Sequence, residues 1–421
     1  MEQLTNERRA VLGLQHMVAM FGATILVPLI VGLDPSVTLI CAGIGTLIFH
    51  MMTKMMVPVF LGSSFAFIGP IIAAGSLSDN ANFGAIGIGI VCAGLLYLAM
   101  SGLVMLIGPG FIRKIFPPIV TGPVIVVIGI SLAPVAIDGA KATWLIAIVA
   151  LLATIVAAIY LRGIFKMLPI LIGFITGFIF AWFWGLVTDY SLSFDALTSA
   201  SWVGWPDFTW SHSFDWEIIL LIAPVAFVTM IEHVGDILAN GRVVGKDFFK
   251  EPGVHRTLAG DGLATMAAGF LGGPPNTTYS ENTGVLAVTQ VYDPMVLRIA
   301  AVFAICLGFI PKFGGLLRSV PAEVLGGLSI ILFGMIAAVG LRTLVEGRVD
   351  FTKVRNMIIA GMILVFGLGG SLVTQSGLGL LTPITVNFFG QADIAVSGLA
   401  LGALVGVIAN LILPGAETVE D

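Results

Sequence analysis

Apolar runs long enough to cross a lipid bilayer recur along the whole chain, and this repetition limits the possible folds more than any other feature. The hydrocarbon core of a bilayer is about 30 Å thick, and a helix needs about 20 residues to cross it. Of the 421 residues, 58% are hydrophobic and only 10% are charged, whereas soluble domains carry about 25% charged residues. The sequence therefore predicts an all-α polytopic membrane protein embedded in the lipid bilayer.

Fourteen segments are predicted to span the membrane, with both termini on the cytoplasmic side. The segments are 10–32, 36–53, 61–76, 83–108, 118–136, 140–161, 164–188, 217–240, 257–273, 276–291, 294–313, 319–341, 355–372 and 391–413. Lys and Arg collect on the cytoplasmic side of membrane proteins. On this count only Lys141, Lys312 and Arg318, of 19 Lys and Arg residues, fall elsewhere. The first span follows Arg8 and Arg9 without a small-residue cleavage site, so we expect it to act as its own anchor.

Charge and cysteine content exclude several classes of partner and site. The formal net charge is -5 and no basic patch interrupts the apolar runs, so we expect no nucleic-acid partner. The three cysteines, Cys41, Cys92 and Cys306, lie in apolar runs without paired spacing. We interpret them as packed side chains rather than as a disulfide or a metal site.

Spans 3 and 10 differ from the others because they are short and interrupted. Span 3, "LGSSFAFIGPIIAAG", is broken by glycines and Pro70, and span 10, within "PPNTTYSENTGVLAVTQ", is polar and contains Gly284. Each is the third span of a seven-span half, and seven is odd, so the second half enters from the opposite side. Interrupted spans at matching positions are typical of transporters built from two inverted repeats. Non-helical backbone at membrane depth must be buried or line a cavity, which predicts a substrate site between spans 3 and 10.

Few ionisable residues lie inside the predicted spans, and such residues are functional candidates because burying a charge in a bilayer is costly. Glu232 and Asp236 are four residues apart in span 8 and share one helix face. Glu281 lies in span 10, and His16 lies in span 1, where a role in tying helices together is an equal alternative.

Three further residues have structural explanations that compete with function. His233 follows Glu232 and points about 100° away from it, which favours a packed or hydrogen-bonded side chain. Asp261 opens span 9, so helix capping and a functional role are both open. His50 ends span 2 at the inner interface, and we interpret it as structural.

Two carboxylates in a small cavity suit a planar nucleobase. They can accept hydrogen bonds from ring N–H groups, while free backbone N–H groups of the broken spans can donate to the ring carbonyls. Tyr279 and Phe65 could stack on or flank the ring. Because burial and nearby like charges favour the neutral form of a carboxyl group, one of the carboxylates could also carry a proton, as a symporter requires.

Four motifs in order carry a specific resemblance. "QHMVAMFGATILVP", "GSSFAFIGP", "EHVGD" and "NTTYSENTGVLAVT" resemble the nucleobase–ascorbate transporter (nucleobase:cation symporter-2) family, especially its bacterial uracil permeases. The family signature matches Glu281, Asn282, Gly284 and Thr289. The sequence departs from it at Gln290, which leaves an ionic role at that position in doubt.

The resemblance implies a core domain and a gate domain, each assembled from two parts of the chain. The core domain is expected over 1–116 (spans 1–4) and 215–316 (spans 8–11). The gate domain is expected over 117–214 (spans 5–7) and 317–421 (spans 12–14). The family also implies short antiparallel strands in spans 3 and 10, a homodimer, and a location in the bacterial inner membrane.

The resemblance further assigns site residues. Glu232 and Glu281 are expected to bind the base, with backbone contacts from Phe65 and Ser280. The pocket is expected to be lined by Tyr279, Ala23 and Ser64, with Phe333 facing it from the gate domain. Asp236, together with Glu232 and Glu281, is expected to serve proton coupling, and His16 to brace Asp236. No cofactor is expected beyond the proton as coupling ion.

Glu281 favours uracil as the substrate, because purine members of the family tend to carry Gln there and an amide both donates and accepts. A purine, xanthine or ascorbate symporter and a sodium-coupled variant remain alternatives within transport. A channel or anion exchanger on a similar scaffold is disfavoured by the two carboxylates. An intramembrane enzyme is disfavoured because the sequence has no H-E-x-x-H pair and no protease constellation.

Overall fold

The computed structural model describes residues 5–209, 212–375, 384–387, 393–396 and 398–415. In that part of the chain, fourteen segments follow the predicted spans in order. Spans 1 to 7 are Asn6–Val31, Pro35–Met52, the broken span 3, Phe83–Ile107, Pro118–Ala140, Trp144–Tyr160 and Pro169–Val187. Spans 8 to 14 are Trp216–Val244, Val254–Leu271, the broken span 10, Pro294–Gly308, Ala322–Glu346, Val354–Gln375 and Gly398–Ile412. The fold is thus the predicted all-α polytopic membrane protein with two inverted seven-span repeats.

Spans 3 and 10 each combine a strand with a short helix, as predicted. Span 3 consists of β1 (Leu61–Ser63), a 3-10 turn (Phe65–Phe67) and the helix Ile68–Ala73. Span 10 consists of β2 (Asn276–Thr278) and the helix Ser280–Thr289.

Several boundaries differ from the predicted ones. Among the described residues, seven helices are long and apolar enough to cross a membrane unaided, and the remaining spans are shorter, more polar or broken. Span 11 was predicted to continue to 313, but it ends at Gly308, and the helix Pro311–Arg318 then bends away by 82°. Pro311 explains the break, because its ring cannot continue an existing helix.

A second pair of strands was not predicted. β3 (Ile384–Asn387) and β4 (Asp393–Val396) form an antiparallel pair before span 14. The prediction that span 14 begins at 391 is therefore wrong over 393–396, and the helix begins at Gly398. Residues 391, 392 and 397 lie outside the described residues. The apolar strand β4 resembles a helix start in hydropathy, and short apolar runs do not distinguish the two.

Helix ends follow local sequence signals. Asp34, Asn82, Asp215 and Asp293 accept backbone N–H bonds at the starts of spans 2, 4, 8 and 11, which satisfies donors that a helix leaves free. Spans 1, 8 and 9 end at Gly32, Gly245 and Gly272, all left-handed with φ of 75°, 75° and 84°. Glycine adopts this conformation without steric cost.

The helices pack in two groups. Spans 1, 2, 4, 9 and 11 pack against one another, and spans 5, 6, 7, 12, 13 and 14 form the second group. Spans 4 and 9 approach closely at two glycine pairs, Gly87 with Gly269 and Gly94 with Gly262, where an added Cβ would meet the opposite backbone. Small residues allow such close helix contacts in membranes. The core and gate domain boundaries stay a prediction.

Candidate functional site

The two broken spans meet at their strands. β1 and β2 are antiparallel, with Leu61 opposite Thr278 and Ser63 opposite Asn276. The ladder extends beyond the strands, since the Ser64 N–H donates to the Pro275 carbonyl at 2.9 Å and the Tyr279 N–H donates to the Phe60 carbonyl at 3.0 Å. Each broken span therefore supplies the backbone partners that the other lacks, which is how non-helical backbone is tolerated at membrane depth.

A short half-helix follows each of the two strands, and we call the place where the paired strands meet the crossing. The helix Ile68–Ala73 follows β1 after the 3-10 turn and the helix Ser280–Thr289 follows β2, so both begin next to the crossing. The first N–H groups of a helix have no partner within the helix. The predicted backbone contacts, Phe65 and Ser280, lie at these beginnings, where N–H groups can be offered to a ligand.

Polar side chains on β2 and on neighbouring spans bond to the backbone around the strands. The Asn276 amide donates to the carbonyls of Cys41 (3.2 Å) and Ala264 (3.1 Å). The Leu61 N–H donates to Thr46 Oγ1 at 2.9 Å, and the Asn240 amide donates to the Pro58 carbonyl at 3.0 Å. These supports were missed in the sequence, although each is a polar residue in an otherwise apolar stretch.

Tyr279 joins the two broken spans through its side chain. Its hydroxyl donates to the Ser63 carbonyl at 2.9 Å, and Ser63 Oγ donates to the Thr24 carbonyl at 2.7 Å. The Tyr279 ring packs on Gly62, where an added Cβ would lie 2.5 Å from the ring carbon Cζ. Tyr279 is only 3% exposed, so it braces the crossing, and its role as a pocket-lining residue stays a prediction.

Two smaller predicted residues belong to span 1 and to broken span 3. Ala23 and Ser64 are both fully buried. Within the described residues, the Ser64 hydroxyl has no hydrogen-bond partner. It is therefore a polar group next to the crossing that can still bond to a ligand.

The three carboxylates predicted for the site form one electrostatic cluster. Glu232, Asp236 and Glu281 are each half-buried, and Glu232 interacts electrostatically with both of the others. Asp236 accepts a hydrogen bond from Thr278 Oγ1 at 2.8 Å. Spans 8 and 10 pack against each other, so the structure brings these carboxylates together beside β2.

Phe65 of broken span 3 contacts Phe333 of span 12, which belongs to the second helix group. Their ring centroids are 6.0 Å apart and the rings lie edge to face at 73°. Phe65 is 8% and Phe333 2% exposed. The predicted gate residue Phe333 thus contacts broken span 3 directly.

His16 contacts span 10 rather than Asp236. The Asn282 amide lies 3.1 Å from His16 Nδ1 and donates to the His16 carbonyl at 3.1 Å. Asn282 follows Glu281 directly, so His16 supports the segment that carries this carboxylate. The expectation that His16 braces Asp236 has no support in these contacts.

Contacts in the structure bear on the interpretations of three further buried residues, His233, Asp261 and His50. His233 Nδ1 lies 3.0 Å from Asp261 Oδ2 and the His233 side chain is fully buried, in agreement with a packed His233. The capping alternative for Asp261 is wrong, because Gly253 occupies the cap position of span 9 and Asp261 is buried several residues later. His50 Nε2 donates to the Val59 carbonyl at 2.9 Å, which fits its structural interpretation.

Solved structures of other transporters share the fold at low sequence identity. The transmembrane domain of the cyanobacterial bicarbonate transporter BicA matches with a TM-score of 0.64 and 14% identity, over 87% of this chain and 96% of that one. The murine anion transporter Slc26a9, in an inward-facing state, matches with a TM-score of 0.67 and 10% identity, over 97% of this chain and 69% of that one. At these identities the likeness concerns the fold alone.

Sequence relatives are far more similar. The uracil permease of Bacillus caldolyticus is 46% identical over 96% of this chain and 91% of its own length. The uracil permease of Bacillus subtilis (strain 168) is 44% identical over 96% and 92%. The putative pyrimidine permease RutG of Escherichia coli (strain K12) is 40% identical over 90% and 87%.

The family profile gives the same result. Residues 8–376 match the profile described as the permease family, Xan_ur_permease. The relatives are permeases rather than enzymes, and the apolar spans make this chain a multi-pass membrane protein. The chain therefore belongs to this permease family, the nucleobase–ascorbate transporter family whose motifs it carries.

Proposed function

We propose that the protein imports uracil together with protons, using the crossing of spans 3 and 10 and the face of span 8 as its substrate site. The observation that carries the proposal is the clustering of Glu232 and Glu281 beside two half-helix beginnings. The most similar of the relatives described above are uracil permeases, which supports the choice of uracil.

The chemistry of uracil fits the groups available. Its two ring N–H groups need acceptors, which the carboxylates of Glu232 and Glu281 supply. Its two carbonyl oxygens need donors, which the free N–H groups near Phe65 and Ser280 supply. Phe65 and Phe333 place aromatic edges and faces next to a planar ligand, and aromatic contacts of this kind add to binding.

The proton has a place in the same cluster. Three carboxyl groups in one partly buried site repel one another when all are ionised, so uptake of a proton by one of them relieves the repulsion. Asp236, together with Glu232 and Glu281, is our candidate for this proton, with His16 as a support through Asn282. No cofactor takes part.

Transport requires that the site opens to each side in turn. We propose that the first helix group, with the broken spans, rocks against the second. The contact of Phe65 with Phe333 joins the two groups next to the substrate. We place the protein in the bacterial inner membrane, with both termini cytoplasmic and as a homodimer, as the family resemblance implies.

A purine, xanthine or ascorbate symporter and sodium coupling are the alternatives within transport. Anion exchange, suggested only by the fold neighbours, needs helix N-termini together with a cation rather than several carboxylates. Glu232, Asp236 and Glu281 therefore disfavour it.

The test is uptake of labelled uracil by proteoliposomes under an imposed pH gradient or an imposed sodium gradient. We expect accumulation driven by the pH gradient and only weak competition by xanthine. Accumulation driven by sodium alone, or full inhibition by equimolar xanthine, would contradict the proposal.

A further inference from the structure

Asn240 lies one helical turn beyond Asp236 on span 8 and is not among the substrate contacts proposed above. Glu232, Asp236 and Asn240 follow one another at intervals of four residues within the helix Ala226–Val244. Side chains at this spacing share one face of a helix. Asn240 is 0% exposed, so its polar amide needs partners inside the protein.

The Asn240 amide bonds to both broken spans. Its Nδ2 donates to the Pro58 carbonyl at 3.0 Å and to Thr283 Oγ1 at 3.2 Å. Pro58 lies three residues before β1, and Thr283 lies two residues after Glu281 in the half-helix of span 10. The Asn240 oxygen makes no hydrogen bond within the described residues, so both contacts depend on the two N–H groups of the amide.

The backbone that leads into β1 is buried and non-helical, so its carbonyl groups need donors from elsewhere. The five consecutive carbonyls of residues 57–61 each accept a hydrogen bond. In the order of these carbonyls, the donors are the Val59 N–H, the Asn240 amide, the His50 imidazole, the Tyr279 N–H and the Thr46 hydroxyl. Of these five donors, Asn240 is the one on span 8, the helix that carries Glu232.

Asn240 differs from Asp236 in how much of the crossing it reaches. Asp236 accepts a hydrogen bond from Thr278 on β2, which ties span 8 to broken span 10. Asn240 bonds at the same time to the segment that enters β1 and to the half-helix that carries Glu281. Because Glu232 lies on span 8, this double contact bears directly on the spacing between Glu232 and Glu281.

The chemistry of the contact requires an amide. Aspartate has no N–H group to donate, and leucine has a similar size without any hydrogen bond. A buried carbonyl that loses its donor costs free energy. Loss of the Asn240 amide therefore leaves the Pro58 carbonyl without this donor and frees span 8 to shift against both broken spans.

We propose that Asn240 is a positioning residue that sets the spacing of Glu232 and Glu281, so that both carboxylates bond to one uracil molecule. The proposal rests on the proposed function and deepens it, because Asn240 acts through the two carboxylates without touching the base. When the spacing changes, the rigid uracil ring keeps its bond to one carboxylate and loses its bond to the other.

The test is a double-mutant cycle between Asn240→Leu and Glu281→Gln, measured as the equilibrium affinity of the purified protein for labelled uracil. If Asn240 positions the carboxylates, each single substitution removes one of the two carboxylate contacts. We expect each to weaken binding by about tenfold. We expect the double variant to be weaker by about tenfold as well, whereas independent losses would multiply to about 100-fold.

Asn410→Leu is the matched control. Asn410 is also buried, and its amide donates to a backbone carbonyl, that of Lys114, at 2.9 Å. It lies on span 14 in the second helix group, so Glu281→Gln should still weaken binding by about tenfold in the Asn410→Leu background. A loss of about 100-fold in the double variant of Asn240 and Glu281 would overturn the proposal, because it would show that Asn240 only stabilises the fold.

Thr283 offers a milder change if Asn240→Leu does not fold. Thr283→Val keeps the size of the side chain but removes the hydroxyl that accepts from Asn240, and Thr283→Ser keeps the hydroxyl. We expect Thr283→Val to weaken uracil binding by about threefold and to reduce the cost of Glu281→Gln to about threefold. Thr283→Ser should keep the wild-type values. Equal results for Thr283→Val and Thr283→Ser would overturn the proposal, and failure of the wild type to bind uracil would instead contradict the proposed function.

Discussion

The two broken spans share one architecture but differ in chemistry. In both, a three-residue strand is followed by a short helix, and the third residue after the strand begins or joins the helical part. In span 10 that residue is Glu281, and in span 3 it is Ala66. The inverted repeat therefore creates two equivalent places at the crossing, of which one carries a charge and the other a methyl group.

Their support is also unequal. Span 10 reaches across the crossing through Tyr279, whose hydroxyl bonds to the Ser63 carbonyl, whereas the Ser64 hydroxyl at the matching place in span 3 makes no hydrogen bond within the described residues. Span 3 thus offers backbone, a free hydroxyl and the ring of Phe65, and span 10 offers the carboxylate. The repeat symmetry sets the two places at which ligand-binding groups can lie, and the side chains at those places differ in the groups that they offer.

Replacing Glu281 by the alanine found at the matching position of span 3 should reduce uracil uptake more than the other substitutions below. In Glu281→Ala the carboxylate is replaced by the methyl group found at Ala66, and a charge-assisted hydrogen bond to the base is worth about 1.5–3 kcal/mol. We expect kcat/KM for uracil uptake to fall by about 100-fold. The matched control Ala66→Ser, measured in the same assay, should change uptake by less than about threefold. Equal losses of kcat/KM in the two variants would contradict this difference between spans 3 and 10.

A larger side chain at Gly62 should have the next largest effect, which is a loss of stability at the crossing. A Cβ on Gly62 would lie 2.5 Å from Tyr279 Cζ and 2.7 Å from Thr24 Oγ1, whereas nothing lies within 4 Å of a Cβ on Gly69. Gly62→Ala should therefore lower the free energy of unfolding by about 1–3 kcal/mol through overpacking. Gly69→Ala, in the helix of the same span, should leave it unchanged or slightly higher. Thermal unfolding in detergent compares the two, and equal midpoints would contradict the tight packing of Tyr279 on Gly62.

A conservative change at Glu281 should alter preference rather than abolish function. Glu281→Gln keeps the size but turns an acceptor into a group that both donates and accepts. We expect uracil affinity to fall by about tenfold while xanthine competes better than in the wild type, since each mismatched hydrogen bond costs about 1 kcal/mol or more. Competition binding on the purified protein measures this, and an unchanged preference would argue that Glu281 does not touch the base.

Loss of the contact between Phe65 and Phe333 should have the smallest effect on uracil binding. Phe333→Leu removes an edge-to-face contact with Phe65, and such pairs are worth about 0.5–1.5 kcal/mol. We expect uracil affinity to fall by about threefold to tenfold, whereas Phe333→Tyr keeps the ring and should stay within about twofold. An equal loss of uracil affinity in Phe333→Tyr and Phe333→Leu would show that the ring contact with Phe65 does not explain the role of Phe333.

Span number, order and the two interruptions were predictable from the sequence because each follows from local composition. Bilayer thickness fixes the length of a span, and the glycines and prolines near Pro70 and Pro274 mark the breaks. The clustering of Glu232 with Asp236 was also predictable, since residues four apart share a helix face. The strand pair β3–β4 was missed because a short apolar strand and the start of an apolar helix look alike in hydropathy.

Contacts that depend on helix packing were not predictable. The His233–Asp261 contact joins two spans whose relative rotation the sequence pattern leaves open. The pairing of His16 with Asn282 instead of Asp236 likewise depends on how span 1 lies against span 10. Asn276 and Asn240 were overlooked as supports of the strands because their partners are backbone carbonyls, Cys41 and Pro58 among them, which carry no sequence signature.

The most direct measurement of the central claim is equilibrium binding of labelled uracil to the purified protein and to Glu232→Gln. The claim is that the carboxylates beside the crossing of spans 3 and 10 form the uracil site. We predict saturable binding by the wild type and at least about 100-fold weaker binding by Glu232→Gln, with both proteins unfolding at the same temperature. Unchanged uracil affinity in a folded Glu232→Gln protein would contradict the account.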